Sequence, residues 1–350
     1  MENNTVDVSK ELTYKEENML NKVLSKYDME VVGIKKVRSA YKVNTTVGAI
    51  CLKKIRHGKN KAKNGYILVD ELSSKGFRNI SKYYKTKDGE YLVKNKDYYF
   101  YAYEWVNGEE CNLKNITEAI ECVKLLAKFH KTTNGINSTK MEIRNNLKNW
   151  PKIFSSSIYD LERFKRIIAE KKIKSDFDIA YNNCIDSNYN MALTALDTLN
   201  KSDYYKLSKK AGENKTICHD SFYYQNIIKG KDDFFLIDLD SIMIDLQIND
   251  LGKFIRRMMY KSEYKWEFDR AKQIIEAYRS ISELSKNELE AMLSLIIFPH
   301  KFWKLGKKRY LKRKEWPEYK YMHKLNKLIK YNKLEEEFLK NYIEYLETIN

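Results

Sequence analysis

The chain has 350 residues, with 65 Lys plus Arg against 48 Asp plus Glu, a formal net charge of +17, and 43% hydrophobic residues. That apolar content excludes a disordered chain, and the length suits two domains or one two-lobed domain. Lysines are spread along the chain rather than blocked, which reads as a basic background; no DNA- or RNA-binding signature appears, so no specific nucleic-acid partner is expected.

In chain order, residues 6–27 read as a helix with a partial apolar face (Leu12, Met19, Leu20, Val23). Residues 31–37 and 41–47 alternate like strands, and 49–55 (AICLKKI) form a third after a hairpin turn at 45–48. Residues 59–75 fit a helix with Gly76 as its C-terminal cap, and 91–94 with 98–105 make another hairpin. This predicts a small sheet of about five strands with one helix inserted. After Val106-Asn107-Gly108 the periodicity is helical: 117–130 with Thr117 as N-cap, 159–171 and 177–199. A loop and a hairpin around 229–233 interrupt it. Helices then resume at 250–260, 265–280 and 285–298, followed by two basic helices to the C-terminus. Only three Pro punctuate the chain, which suits long elements.

Five scattered Cys without a CxxC pair predict reduced, buried thiols rather than a disulfide framework or a zinc site. The polar, acidic N-terminus carries no signal-peptide pattern, and no apolar run approaches the ~18 residues that span a membrane. Synthesis in the cytosol is the expectation.

The chemistry-bearing stretch is 216–257, TICHDSFYYQNIIKGKDDFFLIDLDSIMIDLQINDLGKFIRR. A carboxylate closing an apolar strand, as Asp238 closes FFLID, needs a metal or a hydrogen-bonded cap. Asn226 and Asp238, on the two arms of one hairpin, form a plausible Mg²⁺ site, and Asp240 is placed to share the ion; a turn Asn with a helix-capping Asp is the alternative. Phosphoryl transfer from ATP also needs a Lys on the phosphates. Lys53 on the third strand is taken for it, with Lys54 as the alternative, since strand alternation turns only one of them inward. His219, with no second His or Cys near it in sequence, reads as a group that fixes its loop.

These residues resemble a known family. His219-Asp220-Ser221 with Asn226 is similar to the catalytic loop of the aminoglycoside phosphotransferase and choline kinase-like fold, Asp238 to its Mg²⁺-binding Asp, and Asp250-Leu251 to the pair that opens its next helix. GAICLKKI, SSKGFRNI, YAYEWVNGEEC, LLAKFH, CHDSFYYQNI and FPHKFWKLGKKRY, in that order, resemble CotS-type spore coat proteins of endospore-forming bacteria. The resemblance implies an α+β, two-lobed, protein-kinase-like fold. Residues 1–106 would form an N-terminal helix and a small antiparallel-sheet, nucleotide-binding lobe; residues 107–350 would form a mostly helical lobe. It implies Lys53 as the nucleotide Lys, and Glu104 and Val106 as the hinge against which an adenine lies. ATP and Mg²⁺ are the implied cofactors and other coat proteins the implied partners, with synthesis in the mother cell and a final place in the spore coat.

Three departures qualify that expectation. Counting back from Asn226 puts Ser221 at the position of the base, with Asp220 one residue early, and a neutral hydroxyl cannot take a proton as a carboxylate does. The first turn, VRSAYKV, lacks Gly, and the helix 59–75 offers only Asp70 and Glu71 to pair with the strand Lys. The chain is therefore read as a coat component on a kinase-like fold with ATP/Mg binding and weak or no phosphotransfer. The alternative is an active ATP-dependent small-molecule or protein kinase acting in coat assembly. Trp303, Tyr310 and Trp316 with the basic run 307–314 are read as an amphipathic helix with a solvated basic side in preference to a docking face.

Overall fold

The computed structural model describes residues 12–349; the first part of the helix expected over 6–27 lies outside the described residues. The chain forms two compact units. One comprises residues up to Cys111 with Gly135–Arg144 and Tyr223–Ile242; the other comprises Asn112–Asn134, Asn145–Phe222 and the residues from Met243 onward.

In the first unit, helix α1 (Tyr14–Leu24) starts at Thr13, which forms a reciprocal capping box with Glu16. Strands β1 (Val31–Val37), β2 (Ala40–Thr45), β3 (Gly48–Ile55), β4 (Tyr83–Tyr84), β5 (Val93–Asn95) and β6 (Tyr98–Glu104) make a six-stranded sheet in the order β1-β2-β3-β6-β4, with β5 also on β6. The pairings are antiparallel. Strand alternation divides β3 between two faces. Ile50 and Leu52 pack with Leu20, Val23 and Leu24 of α1, whereas Cys51 packs with Tyr101, Tyr103 and Ala62 on the opposite face. Lys53 shares the parity of Cys51 and pairs across the ladder with Tyr101. Lys54 turns the other way, its Nζ 3.8 Å from the centre of the Tyr98 ring.

Helix α2 (Lys59–Ser74) ends as its sequence predicts. Gly76, at φ +83°, lets Phe77 N–H reach the Leu72 carbonyl at 3.0 Å. Its buried Asn64 exchanges two 2.9 Å hydrogen bonds with the backbone of Glu142. A short strand, Glu109–Glu110, pairs with Ile227–Lys229, which pairs in turn with Phe234–Leu236. Gly108 makes this possible, because a Cβ there would run into the Lys229 carbonyl.

The second unit is mostly helical. Trp150–Ala169 packs on Asp176–Lys201, Ile248–Met259 on Lys286–Ile297, and Ile116–Thr133 on Phe268–Arg279. Ser175 and Ser285 form capping boxes with Asp178 and Glu288. The α+β character, with its small antiparallel sheet and predominantly helical remainder, is as expected, although the sheet has six strands rather than about five, and His300–Gly306, a π-helical turn over Lys307–Leu311, Glu318–Ile329 and Asn332–Glu347 replace the two basic helices expected at the C-terminus; three further details differ. The helix expected to begin at Thr117 is capped by Asn115, whose side chain accepts from Thr117 N–H at 3.0 Å. The helix expected from 159 starts at Trp150, with Pro151 in its first turn, where a missing N–H costs nothing. A helix over Tyr204–Asn214 was not expected; it buries Tyr204, Ser208 and Ala211, a stripe too weakly apolar to signal itself.

Candidate functional site

The residues singled out by sequence fall into two groups, one in each unit. In the first unit, the hairpin formed by Ile227–Lys229 and Phe234–Leu236 has Ile227 opposite Leu236. Just beyond it, Ile237 N–H donates to the Asn226 carbonyl at 3.0 Å, so Asn226 lies beside the residue that precedes Asp238. Asp238 adopts φ +61°, which ends the strand and leads into a 3₁₀ turn over Leu239–Ser241. Lys53 Nζ sits 2.7 Å from Asp238 Oδ1 and 2.7 Å from Asp240 Oδ2. The Tyr101 hydroxyl donates to the same Asp240 oxygen at 2.6 Å. Burial acts to lower the Lys53 pKa, but Asp240 and Asp238 outweigh it and hold the ammonium above the ordinary lysine range. Tyr83, Tyr101 and Tyr103 are driven well above the ordinary tyrosine range by burial, so the group meets the carboxylates as neutral phenols.

Two carboxylates against one ammonium leave this group one negative charge in excess. Asp240 Oδ1 is buried and has no hydrogen-bond partner, an expensive condition for a carboxylate oxygen. A donor set of carboxylate and amide oxygens suits a hard cation such as Mg²⁺, and the orphaned oxygen is the feature a cation would satisfy. The helix acids stand elsewhere in the network: Asp70 accepts the Tyr91 hydroxyl at 2.7 Å, and Lys53 has Asp238 and Asp240 as its partners. Glu104 closes the β3–β6 ladder opposite Ile50; Trp105, the first residue beyond the strand, donates its N–H to the Ala49 carbonyl at 3.1 Å, and Val106 follows it.

In the second unit, the helix Ile248–Met259 fixes the His219-Asp220-Ser221 loop. Buried Asp250 accepts His219 N–H on Oδ2 at 2.6 Å and Asp220 N–H on Oδ1 at 2.8 Å. His130 Nε2 lies 3.1 Å from Oδ2, and its Nδ1 lies 2.8 Å from the Tyr278 hydroxyl. Burial pushes the Asp250 carboxyl up, but the His130 bond and the charges around it prevail and hold it below the ordinary carboxylate range. One turn on, Lys253 Nζ meets Asp220 Oδ1 at 2.6 Å. One turn further, Arg257 donates to the Phe222 carbonyl at 3.1 Å. The i, i+3, i+7 spacing puts all three on one helix face. Asp220 sits at φ +63°, a left-handed conformation uncommon for a non-glycine residue. Ser221 directs both its N–H (3.3 Å) and its Oγ (3.2 Å) at His219 Nδ1.

His130, Cys218 and Asp250 bring three potential metal ligands within 4.8 Å of one another. The ring and the carboxylate are already hydrogen-bonded, the Cys218 thiol donates to the Leu246 carbonyl at 3.2 Å, and burial pushes that thiol well up, away from the thiolate a metal needs. The cluster is a hydrogen-bond network that positions the loop.

Comparison with known proteins matches the family described as "Spore coat putative kinase YutH" over residues 20–342. The chain belongs to that spore coat kinase-like family. It is 24% identical to spore coat protein S of Bacillus subtilis (strain 168) over 331 residues, 93% of each chain. Among solved structures, it resembles an aminoglycoside phosphotransferase from Alicyclobacillus acidocaldarius subsp. acidocaldarius DSM 446, with TM-score 0.84 and 17% identity over 94% of this chain and 96% of the other. It also resembles spectinomycin phosphotransferase solved with ADP and spectinomycin, with TM-score 0.60 and 14% identity over 92% and 98%. The fold is that of the kinase-like aminoglycoside phosphotransferases. No helix among the described residues is long and apolar enough to cross a membrane.

Sequence reasoning missed the roles of Lys253, Arg257 and Tyr101. The first two had a readable signal, since D-L-G-K-F-I-R-R spaces Asp250, Lys253 and Arg257 along one helix face. Tyr101 had none, because its partner lies 139 residues away.

Proposed function

We propose that this spore coat family member is a kinase-like scaffold of the coat that binds ATP and Mg²⁺ in its first unit, with weak or no phosphotransferase activity. Lys53 would meet the phosphates; Asn226, Asp238 and Asp240 would hold the metal; the segment Glu104–Val106 would lie against the base. The observation that carries this is the partly buried Lys53–Asp238–Asp240 group, with its buried, unpartnered Asp240 oxygen. A purely structural ion group has no reason to leave one oxygen of its second carboxylate buried without a hydrogen bond, whereas a cation site does. The structural neighbour solved with ADP supports nucleotide use by this fold. Other coat proteins are the proposed partners, reached after synthesis in the mother cell.

Weak turnover follows from the second group. Ser221 holds the base position and spends its hydroxyl on His219, while Asp220 is ion-paired to Lys253. Loss of a general base costs about 10²–10⁴-fold. An active kinase that uses Asp220 as its base is the second candidate, favoured by the rigidity with which Asp250 holds the Asp220 backbone.

Thermal unfolding with ATP and Mg²⁺ tests both. Saturation at about a hundred times Kd stabilises by roughly 2.7 kcal/mol. Wild type should show that stabilisation and Asp238→Ala and Asp240→Ala should lose it, and an unchanged wild-type melting curve refutes the proposal. Release of ADP that Asp220→Asn abolishes and Ser221→Ala leaves intact would establish the active kinase instead.

A further inference from the structure

The basic run that follows Gly306 separates into two kinds of aromatic residue. Tyr310 is buried and donates to Asp178 at 3.1 Å. Trp303 gives its Nε1–H to Asp160 at 2.9 Å and lies under Lys307. Neither is free to meet a partner. Trp316 differs, because four lysines surround it. The Nζ atoms of Lys308, Lys314, Lys320 and Lys324 lie 4.9, 5.0, 4.9 and 5.4 Å from its ring. They come from two stretches, the π-helical turn Lys307–Leu311 with the segment after it, and the helix Glu318–Ile329. Among the described residues none of the four forms an ion pair with a carboxylate. Trp316 is half-buried; cation–π attraction contributes roughly 0.5–2 kcal/mol per contact, and four like charges around one indole oppose one another. Burial and then Lys324, Lys314 and Lys312 keep the Lys308 ammonium below the ordinary lysine range.

A second basic group lies near the cage, across the buried Tyr321 ring. The Trp316 ring lies 5.2 Å from Tyr321, and the Arg309 guanidinium lies 4.9 Å from the Tyr321 ring on its way to line an open cavity of ≈ 1070 Å³. Arg163, Arg166 and Arg313 line the same cavity, with Glu170 as the one acidic lining residue. Lys171 and Arg309 are committed to Asp178 and Glu318, whereas Arg163, Arg166 and Arg313 form no ion pair among the described residues.

We propose that the lysine cage of Trp316 and the nearby arginine-lined cavity form a docking site for an acidic polypeptide segment. Guanidinium groups suit bidentate carboxylates, and lysines supply mobile point charges beside them. A nucleic acid fits less well. Sequence-tolerant binding of single strands stacks bases on open aromatic faces, and here ammonium groups occupy the surroundings of the indole. The proposal does not depend on nucleotide binding, since none of its residues belongs to the Lys53–Asp238–Asp240 group.

The test is a fluorescence-polarisation titration of the full chain with a labelled oligoglutamate peptide at about 0.1 M salt, where the screening length is about 10 Å. Three proteins are compared: wild type, a cage variant (Lys308→Gln, Lys314→Gln, Lys320→Gln, Lys324→Gln), and a control of equal charge (Lys35→Gln, Lys82→Gln, Lys94→Gln, Lys128→Gln). The cage variant should bind roughly tenfold more weakly and the control less than about threefold. Should the cage variant fail to fold, the double variant Lys320→Glu, Lys324→Glu serves in its place. Equal losses in cage and control variants would reduce the effect to diffuse attraction by net charge and overturn the proposal, as would absence of wild-type binding. Tighter binding of a single-stranded oligonucleotide of matched charge, lost in the cage variant, would assign the site to nucleic acid instead.

Discussion

Asp245 shows what a single buried carboxyl can do to stability. It is fully buried, and its Oδ2 accepts from Asn146 Nδ2 at 2.7 Å and Trp150 Nε1 at 3.1 Å while Oδ1 accepts from Leu246 N–H at 2.9 Å. All three donors are neutral. Burial dominates and pushes the carboxyl up to about 6. A folded-state pKa above the unfolded value means that the native state holds the proton more tightly. Its stabilising contribution is therefore complete below about pH 4 and is lost as pH rises through about 6. Asp245→Asn removes this titration. From pH 5 to pH 8 the variant's stability should improve relative to wild type by on the order of 1 kcal/mol, at about 1.4 kcal/mol per pKa unit. Urea unfolding of both proteins across that range measures it, and a pH-independent difference would show that Asp245 does not titrate there. Nothing in the sequence marked Asp245, because its surroundings come from residues about a hundred positions away. Asp238 was legible, because a carboxylate that closes an apolar strand is conspicuous from its neighbours alone. Between them stands Lys53. Alternation restricted the choice to Lys53 or Lys54, and only the pairing of β3 with β6 shows which one turns toward Tyr101 and which toward Tyr98.

At the level of elements, the helix Ile248–Met259 holds the loop 219–222 by one face. Asp250 accepts two loop N–H groups, Lys253 grips the Asp220 carboxylate, and Arg257 takes the Phe222 carbonyl. Leaving buried donors unsatisfied costs about 1–3 kcal/mol each. Asp250→Ala orphans two backbone N–H groups and His130 Nε2 together, so a destabilisation of roughly 3–5 kcal/mol is expected. Hydrogen exchange distinguishes this from a general loosening, since the His219 and Asp220 amides should lose protection well beyond amides in the Trp150–Ala169 helix. Lys253→Met should leave those amides protected, because it removes only the ion pair to the Asp220 carboxylate; equal deprotection in both variants would show that Asp250 does not act through the two bonds assigned to it. Helix and strand types were legible here because the apolar period changes from two to about 3.6. Their ends were less so. Asn115 and Thr117 are both good capping residues, and only the tertiary path decides between them.

For the whole molecule, a sheet-then-helix order was legible from periodicity, while the kinase-like fold and the family were legible only through the ordered sequence pieces that carry the resemblance. What composition left open was the meaning of the +17 charge. Spread lysines looked like uniform background, yet folding draws Lys308, Lys314, Lys320 and Lys324 to one indole. A charge this far from zero destabilises the compact state by self-repulsion. The Lys53 group is partly buried and paired at 2.7 Å, so added salt screens it little, while repulsion among exposed lysines is screened strongly once the Debye length falls to about 8 Å. Raising ionic strength from about 0.02 to 0.3 M should therefore raise the melting temperature by a few degrees, on the order of 1 kcal/mol. The four-Gln cage variant should gain less, because part of the repulsion is already gone. Calorimetry in sodium chloride measures both. A melting temperature that falls with salt would mean that favourable surface ion pairs outweigh the repulsion, and an equal gain in the two proteins would mean that the crowding at Trp316 carries no more than its share of the net charge.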